Sequence, residues 1–150
     1  MHEFDLIKKY FSKLSKFNKY SLNLNDDVFF DKVNNIVVSV DTYNEGKHFL
    51  NFKNPALVIK KAIRSSISDL ICKGVKPKYY FLSGSGNSKA FTKTNLSKIS
   101  KSLKEEQKKY NIILGGVYVI KATNKCWYTF YISKNIDYKE QNMSILYIMN

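Results

Sequence analysis

Four acidic positions in this chain are of a type and spacing that could hold a divalent cation. Asp26 and Asp27 stand together between a polar stretch and a short apolar run. Two adjacent acids at a strand mouth can ligate Mg2+, which takes oxygen donors, typically one or two carboxylates completed by water and phosphate. They can equally be a turn pair capping a neighbour. Asp41 closes the β-branched run Ile36-Val-Val-Ser-Val-Asp41. Strand side chains alternate faces, so Ser39 and Asp41 share one face and Val38 and Val40 the other. A hydroxyl and a carboxylate on one face make a ligand pair, or a strand-end acid meeting solvent. Asp69 lies off the apolar stripe of a helical segment, and Ser65 and Ser66 stand four and three residues before it. These small neighbours leave room beside the carboxylate for an ion or phosphate. The alternative is a surface acid paired with Lys73 at i+4. His48, in Glu45-Gly46-Lys47-His48-Phe49, places an imidazole in a loop after Asp41. There it can hydrogen-bond a phosphate or hydroxyl, or stay solvated.

Other motifs carry less. Gly84-Ser-Gly lacks the third glycine of a dinucleotide fingerprint, where Lys89 stands, and it lacks the spacing of a P-loop. Gly115-Gly116 interrupts an apolar run, which allows close approach of a ligand backbone or marks a bulge. No Ser/His/Asp or Cys/His arrangement emerges. Cys72 and Cys126 form no CxxC pattern, which excludes a disulfide scaffold and fits a reducing cytoplasm.

The elements that must position these residues follow from periodicity. Phe4, Ile7, Phe11, Leu14 and Phe17 recur in steps of three and four, predicting a helix over Glu3–Phe17 with one apolar stripe. Residues 18–27 read as loop, Val28-Phe-Phe as a short strand, Asn34-Asn35 as a turn and Ile36–Asp41 as a strand. Asn54-Pro55 opens a helix, Ile59, Ile63, Ile67 and Leu70 face inward, and Gly74 stops it. Lys78–Ser83 reads as a strand and Gly84–Ser88 as a flexible loop. A helix over Thr92–Tyr110 turns Leu96, Ile99, Leu103 and Tyr110 inward. Strands follow at Asn111–Ile120 and Cys126–Ser133. The order implies an α+β fold, a mixed or antiparallel sheet with helices packed on one face.

Composition narrows the class. The chain has 150 residues, 44% hydrophobic with 2 Pro, which excludes disorder and low complexity and suits a single domain. No run approaches the length of a membrane span, and the charged first residues show no secretory signal. Lys plus Arg number 25 against 12 acids, a formal charge of +13 that favours anionic partners. Arg64 is the single arginine, so bidentate reading of bases or phosphates is nearly absent.

Taken in order, these motifs resemble the N-terminal domain of the thiamine-monophosphate kinase family, part of the group that includes aminoimidazole ribonucleotide synthetase and selenophosphate synthetase. The resemblance runs from Glu3 to about Ile132. Glu3-Phe4 through Tyr10-Phe11 looks like the family's opening helix, and Asn25-Asp26-Asp27 like its Gly-Asp-Asp. Ser39-Val40-Asp41-Thr42 through Glu45-Gly46-Lys47-His48-Phe49 looks like its Asp-Thr-x-x-x-Gly-x-His-Phe segment. Ser68-Asp69-Leu70 with Gly74-Val75-Lys76-Pro77 looks like its Ser-Asp-Leu helix, and Gly115-Gly116 like its Gly-Gly-Asp. The resemblance implies that Asp27, Ser39, Asp41 and Asp69 are Mg2+ ligands, that His48 contacts thiamine monophosphate and that Gly116 contacts the nucleotide. It also implies transfer of the γ-phosphoryl of ATP to thiamine monophosphate, and a cytoplasmic homodimer that pairs its sheets.

Departures are equally specific. Val117 stands at the metal-binding Asp of Gly-Gly-Asp, Val40 at a Thr ligand, Asn25 at the Gly before the acid pair and Ser66 at the usual Asn. The family's second domain has no counterpart in residues 137–150, so residues 1–136 form the expected domain and 137–150 an unmatched tail. Half of the family's site is then missing, and activity would call for a separately encoded second domain. The competing expectations are a catalytically inactive remnant that binds nucleotide and, from 11 Tyr, 10 Phe and the basic charge, a nucleic-acid binder.

Overall fold

Helix α2 (Pro55–Cys72) is the organising element. Asn54 caps it, its side chain accepting from the Leu57 amide, and Pro55 occupies the first turn, where no amide partner is required. Ile59, Ala62, Ile63, Ile67 and Leu70 form a fully buried stripe. Each of the Ile and Leu side chains contributes about 1.5–3 kcal/mol by leaving water. Gly74 ends the helix at φ +70°, a left-handed conformation that glycine adopts without a Cβ penalty.

The computed structural model describes residues 2–15, 20–121 and 127–135. Five strands, β1 (Val28–Asp31), β2 (Ile36–Asn44), β3 (Tyr79–Gly86), β4 (Ile113–Lys121) and β5 (Trp127–Asn135), form one sheet in the order β1-β2-β5-β3-β4. Only β3 and β4 are parallel, joined through helix α3 (Lys93–Tyr110), and the remaining pairs are antiparallel. This is the mixed sheet expected. Helix α2 packs across β2 and β5, and α3 packs on α2. Tyr80 of β3 is fully buried, and desolvation pushes its phenol up to about 12.

Helix α3 is capped by Thr92, which accepts from the Asn95 amide at 3.2 Å, and ends at left-handed Asn111. Ile99 and Leu103 face α2 as expected. Leu96, expected inward, is 44% exposed. The two helices are tied by Arg64, whose Nε and Nη2 donate to the two carboxylate oxygens of buried Glu106, each at 2.8 Å. Ser102 adds a bond to the Ala56 carbonyl.

Three local expectations need correction. The opening helix is not uniformly α-helical: α1 covers Glu3–Leu6 and runs directly into a π-helical turn, Ile7–Phe11, and a 3-10 turn, Ser12–Ser15. Its apolar stripe is not core, since Phe4 and Leu14 are mostly exposed, and Phe17 lies outside the described residues. Strand β2 runs on to Asn44, because β5 pairs with it as far as Trp127. The same strand holds Gly84 and Ser85 in β3 against Tyr128 and Trp127, and β4 pairs with β3 through Gly86 and Lys121, so the expected flexible loop begins only after Gly86. Cys126 and residues 137–150 also lie outside the described residues.

Candidate functional site

Strand alternation places the first ligands. Along β2, Val37, Ser39 and Tyr43 are buried, with half-buried Asp41 on the same face, toward α2, while Val40 is exposed on the other. Asp69 reaches this face from α2. The Ser39 hydroxyl donates to Asp69 Oδ2 at 3.2 Å. Asp27 immediately precedes Val28, the β1 residue paired with Ser39, and lies close enough for its charge to act on Asp69. Residues from a loop, a strand and a helix thus converge at one end of the β1–β2 pair.

Electrostatics report the same convergence. The Asp69 carboxyl lies above the usual carboxylate range, first because it is partly desolvated and then because the charges of Asp41 and Asp27 oppose its ionisation. The hydroxyls of Ser39 and Ser68 work in the opposite direction. Asp26 behaves differently. It is paired with Lys73, and that hydrogen bond draws its carboxyl down. Lys73 therefore does not compensate Asp69 at i+4, the alternative the spacing left open, and of the two adjacent acids only Asp27 carries no lysine partner among the described ion pairs.

Asp41 is held at both oxygens. Oδ1 accepts from the Thr42 amide at 3.0 Å and Oδ2 from the Tyr43 hydroxyl at 3.1 Å. Burial, with the Asp41 charge behind it, raises the Tyr43 phenol, and a hydrogen bond from Ser65 on α2 lowers it. The Tyr43 ring meets the His48 ring edge-on, 5.4 Å between centroids. The Asn44 amide, which can only donate, points at His48 Nδ1 at 3.0 Å. Nδ1 must accept, so the neutral ring carries its proton on Nε2. Lys61 of α2 fastens the loop by donating to the His48 carbonyl at 2.5 Å.

Gly116 is not part of this cluster. It lies on β4, with β5 and β3 between it and β2, roughly 14 Å away at ordinary strand spacing. Cross-strand register does align it: Gly116 pairs with Phe81, Phe81 with Tyr131, and Tyr131 with Val40. The next row runs Asp41, Phe130, Leu82, Val117. Val117 therefore shares a row and a face with Asp41. Gly115 is the bulge residue. A Cβ there would lie 2.7 Å from Phe81 Cζ, so close approach by Phe81 explains this glycine.

The donor set suits Mg2+. Three carboxylates and a hydroxyl are hard oxygen donors, and the mutual repulsion of the acids is what a cation relieves. Among the described residues no three His, Cys, Asp or Glu side chains close around a single point as a ready cage. Mg2+ rarely uses such cages and completes its shell with water and phosphate oxygens. Sequence reasoning missed Tyr43 and read Ser65 only as room beside Asp69, not as a partner of Tyr43. Period-two alternation carried the signal for Tyr43, since Ser39, Asp41 and Tyr43 are successive residues of one face.

Comparison with known proteins fits this arrangement. The family model described as AIR synthase related protein, N-terminal domain, matches residues 25–131, more than two thirds of the chain and all of the acids above. The chain belongs to this family. As an AIR synthase related N-terminal domain it is 33% identical, over 125 residues, to the thiamine-monophosphate kinase of Haemophilus influenzae, covering 77% of this chain and 36% of that protein. It is 34% identical over 122 residues to the thiamine-monophosphate kinase of Buchnera aphidicola from Acyrthosiphon pisum, covering 76% of this chain and 36% of that protein. The domain thus spans little more than a third of these relatives. Its fold matches the thiamine monophosphate kinase of Aquifex aeolicus with a TM-score of 0.68 at 23% identity, over 87% of this chain and 40% of that one. A structure of AaThiL complexed with AMPPCP and TMP matches with a TM-score of 0.71 at 24% identity, over 87% and 41%. No helix among the described residues is long and apolar enough to cross a membrane.

Proposed function

We propose that this chain is the Mg-nucleotide-binding half of a thiamine-monophosphate kinase, which moves the γ-phosphoryl of ATP onto the phosphate of thiamine monophosphate. The observation that carries the reading is the meeting of Ser39, Asp41 and Asp69 on one face, with Asp27 close enough for its charge to act on Asp69. Mg2+, when bound, would neutralise phosphate oxygens and hold attacker and leaving group in line. Asp27, Asp41, Asp69 and Ser39 would hold the ions. His48 presents its Nε2–H as a donor for the thiamine phosphate, and Gly116 lets the nucleotide approach the backbone of β4. No covalent nucleophile is required; positioning supplies much of such a rate.

The reading includes a cytoplasmic homodimer, and the sheet face away from α2 supports the dimer. Val40 and Phe29 on β2 and β1, and Tyr118 and Ile120 on β4, are exposed there, an apolar surface suited to a second copy. We place the nucleotide-binding domain within residues 1–136 and assign the remaining nucleotide and substrate contacts to a second domain.

Val117 favours a second reading. It stands in the Asp41 row, on the same face, with a side chain that cannot ligate. A domain lacking that donor would bind Mg-nucleotide without turning it over. Two measurements on the purified chain decide between these: Mg2+-dependent ATP retention by equilibrium dialysis, and ATP-dependent conversion of thiamine monophosphate to the diphosphate. Retention with conversion supports the kinase, retention alone the binding module, and salt-sensitive RNA binding without either would revive the nucleic-acid expectation.

A further inference from the structure

We propose that Tyr43 is the positioning residue of this site, one rigid side chain that fixes Asp41 with its hydroxyl and His48 with its ring. The proposal deepens the Mg-nucleotide reading and rests on it for the role of Asp41. Its geometry stands on four contacts. The Tyr43 hydroxyl donates to Asp41 Oδ2 at 3.1 Å. With the Thr42 amide on Oδ1 at 3.0 Å, the carboxylate has a donor on each oxygen and a fixed rotamer, and each oxygen keeps a lone pair for a cation. The ring edge meets the His48 imidazole at 5.4 Å and 60°. The Asn44 amide donates to Nδ1 of the same ring at 3.0 Å.

Burial makes the arrangement stiff. Tyr43 is 5% exposed, so its ring cannot swing without disturbing the core between β2 and α2. A partner that orients a metal-binding carboxylate typically alters metal affinity 10–100-fold when removed, although it never touches the ion. Neither Asp41 nor His48 contains the information that they act together. Their spacing does, because residue 43 shares a strand face with 41 and stands at the mouth of the loop carrying 48.

Two substitutions separate the two functions. Tyr43→Phe removes the hydroxyl and keeps the ring. Tyr43→Leu removes both. The readouts are the dissociation constant for Mg-ATP by titration calorimetry and the imidazole 15N shifts of His48 by NMR, both on the full chain. We expect Tyr43→Phe to weaken Mg-ATP binding about tenfold with His48 shifts at their wild-type values. Tyr43→Leu should show the same weakening together with His48 shifts displaced toward a mixture of tautomers. Val37→Ala, a loss of core volume on the same strand face, should lower stability and leave both readouts in place. Wild-type Mg-ATP affinity in Tyr43→Phe would overturn the positioning of Asp41, and unmoved His48 shifts in Tyr43→Leu would overturn the positioning of His48. A wild-type chain that binds no Mg-ATP would instead contradict the proposed function, and the His48 arm, which requires no metal, would still decide the ring's role.

Discussion

Ser39 and Asp69 meet through a 3.2 Å hydrogen bond although 30 residues separate them in the chain. That contact joins the buried face of β2 to a half-buried position on α2. It places a carboxylate where burial and two neighbouring acids disfavour its charge. Carboxyls perturbed in this way cluster at functional sites.

Asp69→Asn tests this directly. A carboxyl raised above its ordinary value of 3.8 binds its proton more tightly in the folded state. Stability therefore falls as pH rises through and above that value, as the charged form is forced on the native state. In metal-free buffer Asp69→Asn should melt no lower than the parent at pH 7, and it should lose this share of the pH dependence. Its Mg-nucleotide binding should fall. Thermal melts from pH 3.5 to 7.5 and calorimetry check the two halves.

Gly115→Ala should destabilise by about 1–3 kcal/mol, as overpacking does, because the new methyl meets the Phe81 ring. Phe81→Leu should recover part of that loss when combined with it. Urea denaturation of the two single variants and the double variant checks the coupling, and additive losses would contradict the contact.

Val117→Asp should tighten Mg-nucleotide binding. It adds a carboxylate to the row and face of Asp41, at a position 55% exposed, where an ionised side chain keeps much of its hydration. Unchanged affinity in calorimetry would mean that the site does not reach β4.

Arg64→Met should lower the melting temperature more than Lys60→Met. Both residues form ion pairs between α2 and α3, but Arg64 grips Glu106, 1% exposed, and its loss leaves a buried charge alone. Lys60 pairs with Glu105 near the surface, where water substitutes readily. Equal melting temperatures would contradict the difference.

Much of this fold was legible because local signals agreed with each other. Asn54-Pro55 and Gly74 bracket α2, and its Ile and Leu stripe is the core found. Period-two alternation put Ser39 and Asp41 on one face and helical spacing put Asp69 off the apolar stripe, whereas grouping them with Asp27 rested on the family resemblance. What sequence could not supply was long-range pairing. The extension of β2 to Asn44 and of β3 through Gly86 depends on β5, whose register no local pattern encodes. The pairing of Lys73 with Asp26, and not with Asp69 on its own helix, likewise depends on where the loop before β1 comes to rest. At the N-terminus, 3.6-residue periodicity was real but not sufficient, since a stripe needs a surface to cover and Phe4 and Leu14 face solvent.

Titration calorimetry of ATP into this chain, with and without Mg2+, measures most directly whether the three acids form a cation-dependent phosphate site. Saturable binding that requires Mg2+, and that is weakened by Asp41→Asn and by Asp69→Asn while both variants keep the parent's circular dichroism, is the predicted result. Binding that ignores Mg2+, or that both variants retain at full strength, would contradict it.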